Sequence, residues 1–184
     1  FKKRVALKRR IEAYSKKDFR IMYHKSPKII CIGNAITDVI SFASDEFLTK
    51  NGMIKNAMNL IDYSRSLEID NLIQNETIVA GGSAANTAAC LSKFNCSSNF
   101  IGRIGKDKYG LNYKKNLRDH SVETHLATDS KFPTARSYIF ISPDKERTMN
   151  TYLGASINLQ PDDITEYLIE SADLIYVEGY LYDA

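Results

Sequence analysis

A glycine pair, Gly81-Gly82, constrains this chain most, because it lies between an apolar run and a helical run of small residues. The run at 76–80 predicts a strand, and the small residues predict a helix to about Asn95. Paired glycines allow a positive φ and a close approach by another group. Ser83 can cap the helix, whose free N–H groups favour an anion or a polar ligand. The junction predicts a binding turn, with a plain tight turn as the alternative.

Apolar runs and helical spacing alternate along the rest of the chain. Strands are predicted at 28–33, 36–42, 76–80, 99–104 and 172–177, and helices at 45–50, 62–75, 83–95, 108–119 and 161–170. This order predicts an α/β fold in which a mostly parallel sheet is flanked by helices.

A hairpin interrupts that alternation near the end of the chain. The runs at 134–141 and 147–153 flank a short loop that contains Pro143 and Asp144, two residues typical of turns. A hairpin among strand–helix units predicts a small antiparallel sheet that stands apart from the main one. The strands at 36–42 and 76–80 are candidates to join it.

Length and composition bound the class of protein. The 184 residues can bury one sizeable core, and 43% hydrophobic with 26% charged residues is typical of a globular domain. No apolar run approaches the ~20 residues that span a membrane. Cys31, Cys90 and Cys96 have no metal-site spacing, so we expect no bound metal and a reducing, cytoplasmic compartment. Cys31 and Cys90 are predicted to be buried.

The net charge of +3 is unevenly distributed. Residues 1–28 hold 11 Lys and Arg against 2 Asp and Glu, whereas residues 29–184 hold 14 against 20. We interpret residues 1–28 as a basic, solvated extension of the domain at 29–184. An RNA-binding or membrane-surface arm and an organelle targeting segment are the alternatives.

Two charged residues are candidates for ligand contacts. Asp38 follows the first strand, and ligands of open α/β sheets lie beyond the carboxyl ends of strands. Its carboxylate can accept two hydrogen bonds from a vicinal diol such as that of ribose, and a surface or capping Asp is the alternative. Arg147 has planar donors that suit a phosphate, the alternative being an exposed Arg paired with Asp144 or Glu146. Arg136 is similarly ambiguous.

Three motifs carry a family resemblance. They are Cys-Ile-Gly-Asn-Ala-Ile-Thr-Asp at 31–38, Ala-Gly-Gly-Ser-Ala-Ala-Asn-Thr-Ala-Ala-Cys at 80–90, and Phe-Ile-Gly-Arg-Ile-Gly-Lys-Asp-Lys-Tyr-Gly at 100–110. Together they resemble the N-terminal half of the ribokinase-like (PfkB) sugar and nucleoside kinases, in the adenosine-kinase-like branch, from about Ile29 to Ala184. Asn95 departs from the family's usual Gly, but Asn also tolerates a left-handed helix cap.

The resemblance implies a site and a lid. It implies that the small sheet covers the acceptor site and that Arg147 approaches the transferred phosphate. Ile36, Met149 and Thr151 would form the apolar wall for a base or sugar ring, with ordinary core packing as the alternative for these strand residues. The residues implied to hold the sugar are Asn34, Asp38, Gly81, Gly82 and Asn86, with Ser83 beside them.

The resemblance also implies what the chain lacks. The family's catalytic base is the Asp of a Gly-Ala-Gly-Asp motif, and that motif does not occur among the 184 residues. We therefore expect the C-terminal part of the fold to be missing, together with the catalytic Asp and the ATP and Mg²⁺ sites. The chain alone is expected to be inactive.

The implied activity is ATP-dependent phosphorylation of a ribonucleoside 5′-hydroxyl, such as that of adenosine in purine salvage. The alternatives are a ribokinase- or fructokinase-type sugar kinase, a non-catalytic acceptor-binding remnant, and one half of a split protein. The expected partner is a small sugar or nucleoside, without a membrane or nucleic acid. Exposed edges of the lid strands make a homodimer plausible.

Overall fold

The computed structural model describes residues 26–74 and 76–181. Residues 1–25 of the basic extension lie outside this range, so its interpretations stay predictions. The described strands are β1 (Lys28–Ile32), β2 (Ile36–Phe42), β3 (Met58–Leu60), β4 (Thr77–Gly81), β5 (Ser97–Gly105), β6 (Glu123–Asp129), β7 (Ala135–Ile141), β8 (Arg147–Tyr152) and β9 (Leu174–Val177). The α-helices are α1 (Asp45–Lys50), α2 (Tyr63–Leu72), α3 (Ser83–Lys93), α4 (Lys108–Asp119) and α5 (Glu166–Glu170).

The main sheet is parallel and has the strand order β6-β5-β1-β9. On one face, α3 and α4 pack against buried residues of β1 and β5, among them Cys31 and Phe100. Small residues of α3, such as Ala84 and Ala88, let this helix lie close to the sheet. On the other face, Ile30 packs against the segment that includes α5. The predicted parallel α/β core is confirmed.

The lid sheet has the strand order β3-β8-β7-β2-β4. The hairpin β7–β8 and the additions of β2 and β4 are confirmed, but the sheet is mixed, and the prediction of an antiparallel sheet was wrong. The strands β2 and β7 run parallel because each enters the lid directly after a strand of the main sheet. Beneath the lid, Val39 and Tyr138 pack with Leu48 of α1 and Ile69 of α2.

Several local predictions need correction. The helix expected over 161–170 is divided into a 3₁₀ turn at Pro161–Asp163 and the short α5. The strand expected at 172–177 exists as β9, but its residues are exposed rather than buried, since it lies at the sheet's edge within the described residues. Cys90 is exposed because the buried side of α3 is formed by its alanines, whereas Cys31 is buried as expected. β3 and β6 have no predicted counterpart.

Glycine and asparagine end elements as expected. Asn51-Gly52 follows α1, and Gly52 has a φ of 65°. Asn95 follows α3 with a φ of 62°, which confirms its predicted left-handed conformation. Over residues 26–74 and 76–181, no helix has the length and apolar character that a membrane crossing requires.

Candidate functional site

The lid sheet has one face against its core and one face that is open. Residues two apart on a strand point to the same side, and register partners on neighbouring strands share that side. Val39, Tyr138 and Phe140 point into the core. The alternate residues therefore form the opposite face, which we call the open face and define by Ile36, Asp38, Ile40, Ser137, Ile139, Arg147, Met149 and Thr151.

Four predicted site residues lie on this face, namely Ile36, Asp38, Met149 and Thr151. The register pairs Asp38 with Ser137 and Ser137 with Thr151, so these three lie in one row across β2, β7 and β8. Ile36 lies two residues before Asp38, and Met149 lies two before Thr151, on the same face. The predicted wall residues therefore share one face of the lid sheet, although Ile36 is more than 100 positions from Met149 and Thr151 in the sequence.

Asp38 has an unusual electrostatic environment. Burial raises the pKa of its carboxyl from 3.8 to about 6, and the positive charge of Arg147 opposes that rise only in part. No hydrogen bond from the described residues contributes to this pKa. An ionised carboxylate in this position therefore lacks most of its hydration and has acceptor capacity to offer a ligand.

The glycine turn fits closely against Asp38. A Cβ on Gly81 would lie 2.3–2.4 Å from the Asp38 carboxyl atoms, so a side chain at residue 81 would displace the carboxylate. Gly82 has a φ of 87°, and a Cβ there would lie 2.4 Å from the backbone oxygen of Asn34. Glycine is therefore required at both positions by close packing, with Gly81 against Asp38 and Gly82 against the Asn34 backbone, and the binding role of the turn stays a prediction.

α4 supports the turn from below. The hydroxyl of Tyr113, which is fully buried, donates a hydrogen bond of 3.2 Å to the Gly81 carbonyl. The Asn116 side-chain oxygen accepts from the Ala80 N–H at 3.2 Å. Burial raises the pKa of Tyr113, and the nearby Asp38 charge raises it further. Tyr113 therefore stays neutral and acts as a donor beneath the site.

Ser83 does not have the predicted capping role. Gly82 is the N-cap of α3 and makes no side-chain cap, while the Ser83 hydroxyl donates to Glu178 after β9. Ser83 and residues 176–180 line one cleft. Glu178 was missed by sequence reasoning because a lone Glu after a strand has no distinguishing pattern.

Two asparagines border the glycine turn. The buried side-chain oxygen of Asn34 has no hydrogen-bond partner within the described residues. Asn86 is exposed in the first turn of α3, and its backbone N–H donates to the Gly82 carbonyl at 2.9 Å. Both asparagines stay predicted ligand contacts.

The structure separates the two ambiguous arginines. Arg147 is exposed on β8, and within the described residues it has no ion pair; Asp144 instead binds Lys55 at 2.6 Å. Arg136 is buried on the core side, where it pairs with Asp70 beneath the lid. Its guanidinium also contacts four tyrosine rings, those of Tyr63, Tyr109, Tyr138 and Tyr152. Arg136 therefore has a structural role.

The family that the three motifs resemble uses ATP and usually Mg²⁺, which oxygen ligands would hold. Across the described part of the chain, His, Cys, Asp and Glu side chains do not form a group of three or more that could hold a metal ion. We therefore assign no described residue to Mg²⁺.

Solved structures and curated proteins resemble this chain. The crystal structure of adenosine kinase from Sinorhizobium meliloti has a TM-score of 0.76 and 37% identity, with 86% of this chain and 49% of that chain covered. Anopheles gambiae adenosine kinase, at 18% identity and a TM-score of 0.77, shares the fold over 86% of this chain and 52% of its own. Adenosine kinase 2 of Arabidopsis thaliana is 27% identical over 83% of this chain and 46% of its own length.

The chain thus spans about half the length of the relatives that it matches. The family described as "pfkB family carbohydrate kinase" matches residues 26–184, which include the glycine turn, Asp38 and the whole lid. The chain belongs to the pfkB family of carbohydrate kinases.

Proposed function

We propose that this chain is the acceptor-binding part of an ATP-dependent kinase that phosphorylates the 5′-hydroxyl of a ribonucleoside, namely adenosine in purine salvage. The observation that carries this proposal is the desolvated Asp38 carboxylate between the glycine turn and an apolar wall. The adenosine kinases among the similar proteins favour the same substrate class.

The ribose is proposed to bind at Asp38. Its 2′- and 3′-hydroxyls would each donate to one carboxylate oxygen, and hydrogen bonds to a charged acceptor are about twice as strong as neutral ones. Gly81 and Gly82 let the turn lie close to Asp38 and to the Asn34 backbone, because a side chain at either position would clash there. Asn34 and Asn86 supply further polar groups beside it.

The base is proposed to lie on the open face. Neighbouring strands are about 4.8 Å apart, so the step from β2 to β8 measures about 10 Å. A ribose at Asp38 leaves the half-buried Ile40 and Met149 of the next row uncovered, whereas the attached ring system of a nucleoside would cover them. The extent of this apolar surface favours a nucleoside over the ribokinase- and fructokinase-type alternatives.

Arg147 is proposed to contact the transferred phosphoryl group. Its guanidinium is exposed and unpaired among the described residues, and its planar donors suit phosphate oxygens. When bound, ATP with Mg²⁺ would supply the phosphoryl group. Because the 184 residues contain no Gly-Ala-Gly-Asp motif, we propose that this chain alone binds the acceptor without turning it over.

Calorimetric titration of the 184-residue chain with adenosine, ribose and fructose tests this proposal. We expect adenosine to bind more tightly than either sugar, and Asp38→Asn to weaken adenosine binding. An ADP-release assay with ATP and Mg²⁺ should show no turnover. Tighter binding of ribose or fructose would favour a sugar kinase, and the absence of all binding would contradict the acceptor role.

We also propose a homodimer through the lid and a cytoplasmic location. Phe42, Met58 and Leu60 are large, apolar and exposed on β2 and on the edge strand β3. A second copy could cover them, and sedimentation of the chain and of Leu60→Lys would show whether a dimer depends on this surface. The free Cys31 and Cys96 suit a reducing compartment, which fractionation of the source cells would test.

A further inference from the structure

Two buried polar groups beneath the lid sheet have no hydrogen-bond partner among the described residues. They are the hydroxyl of Thr37 and the Nε–H of Arg136. Thr37 is fully buried, and only 3% of Arg136 is exposed. Buried polar groups are normally satisfied, because an unpaired group loses its hydration without compensation. Two unpaired groups in one place therefore point to a bound molecule that bonds both.

Strand pairing places these two groups side by side. Thr37 on β2 and Arg136 on β7 are register partners, and both alternate with residues of the open face, so they lie on the core side of the lid sheet. Neighbouring strands are about 4.8 Å apart. The two groups do not bond each other directly, but a molecule about 2.9 Å from each atom can join groups up to about 5–6 Å apart. This spacing suits a bridging molecule with a single heavy atom.

The chemistry of the two groups selects a neutral molecule. The Arg136 Nε–H can only donate, whereas the Thr37 hydroxyl can donate or accept. Water accepts from the first group and bonds the second in either direction. An anion would also accept from both, but the Arg136 charge is already paired with Asp70, so a second negative charge would be buried without compensation. The register partner of Thr37 on β4 is Ala80, whose methyl group takes little space beside the hydroxyl.

We propose that one buried water bridges the Thr37 Oγ1 and the Arg136 Nε–H. Because Thr37 directly precedes Asp38, this water joins the strand that carries Asp38 to the Arg136–Asp70 ion pair, and it fixes the spacing of β2 and β7 beneath the open face. Buried waters that satisfy polar groups are part of a structure and are costly to remove. The inference does not rest on the proposed function, since both groups lie on the core side of the lid sheet.

The direction of the stability change in Thr37→Val tests the bridge, because valine replaces the hydroxyl by a methyl group of similar shape. If water satisfies the hydroxyl, the variant leaves the Arg136 Nε–H with an incomplete bridge. The equilibrium constant for unfolding, measured by urea titration, should then rise about fivefold, as for a lost hydrogen bond. An unpaired hydroxyl would instead make Thr37→Val at least as stable as the wild type, and that result would overturn the inference. Thr128→Val, an exposed substitution on β6, is the matched control and should change little.

A high-resolution crystal structure of the 184-residue chain, with crystals soaked in bromide, identifies the bridging molecule. We expect an ordered water within hydrogen-bond distance of both atoms in the wild type and no such bridge in Thr37→Val. A direct bond between Thr37 and Arg136, or an anomalous bromide peak between them, would overturn the inference. Neither measurement uses adenosine, so a failure here leaves the proposed function standing, and a failure of adenosine binding leaves the water bridge standing.

Discussion

Replacing Asp38 by Asn should stabilise the chain while weakening its ligand binding. The Asp38 pKa is about 6 in the fold against an ordinary 3.8, because burial disfavours the ionised form. A raised pKa means that the stabilising contribution of this group is fully present below about pH 4 and is lost as the pH rises through about 6. At neutral pH the ionised carboxylate therefore destabilises the fold.

The size of the stability gain follows from the shift in the Asp38 pKa. A pKa change from 3.8 to about 6 corresponds to at most about 3 kcal/mol in the free energy of unfolding, and partial solvent access reduces this to about 2 kcal/mol. Asparagine has nearly the same shape and no charge, so Asp38→Asn should regain this amount. For a chain of this length the expected rise in melting temperature is about 4–8 °C.

Thermal unfolding of both proteins between about pH 4 and pH 8 measures the effect. The stability gain of Asp38→Asn should be largest at the upper end and vanish at the lower end. Asp62→Asn is the matched control, because backbone hydrogen bonds from α2 lower the Asp62 pKa. Its ionised form stabilises the fold above its unfolded pKa and loses that effect as the pH falls, so this variant should show the opposite trend.

Adenosine binding supplies the second readout. Hydrogen bonds from the ribose favour ionised Asp38, so affinity should fall about tenfold for each pH unit below about 6. Asp38→Asn should bind weakly at every pH and lose this dependence. If Asp38→Asn is no more stable than the wild type near pH 8, the Asp38 carboxylate is not held in a desolvated site.

Three further changes test the parts around Asp38, each by urea unfolding. Gly52→Ala should lower the free energy of unfolding by roughly 1 kcal/mol, because Gly52 has a positive φ but no atom within 4 Å of a new Cβ. Gly82→Ala should lower it by about 1–3 kcal/mol more, because a Cβ there would also clash with the Asn34 backbone oxygen. Equal losses would contradict the close contact. Tyr113→Phe should cost about 1 kcal/mol, since it removes the hydroxyl that bonds the glycine turn, and an unchanged midpoint would contradict that role. Arg136→Leu should lower the free energy of unfolding by about 3–5 kcal/mol, because it leaves the Asp70 charge without its partner. Adding Asp70→Asn should recover part of this loss, and no recovery would show that the ion pair contributes nothing.

The elements of the fold could largely be predicted because their signals are local. The strand β2 alternates buried and half-buried residues, and α4 begins and ends at the predicted residues. β3 has only three residues, too few to show a period, so it could not be recognised. The helix expected after Pro161 was too long, because the proline and acidic residues that mark a helix start also suit a 3₁₀ turn.

The site could be predicted only where one segment carries the signal. Asp38 and the glycine pair belong to short motifs that can be read directly from the sequence. Ser137 has no such signal, since a Ser within a strand is ordinary. Ser137 lies beside Asp38 only because β7 runs parallel to β2, which local sequence cannot reveal.

The strand pairings also separate Asp38 from Arg147. The register places Arg147 four residues beyond Thr151 and two strands from Asp38, so their backbones lie roughly 16 Å apart. The Arg147 charge nevertheless lowers the Asp38 pKa, although the two side chains form no ion pair among the described residues. A direct ion pair would neutralise both groups, whereas this separation keeps both available for the roles proposed above, the carboxylate toward sugar hydroxyls and the guanidinium toward a phosphoryl group.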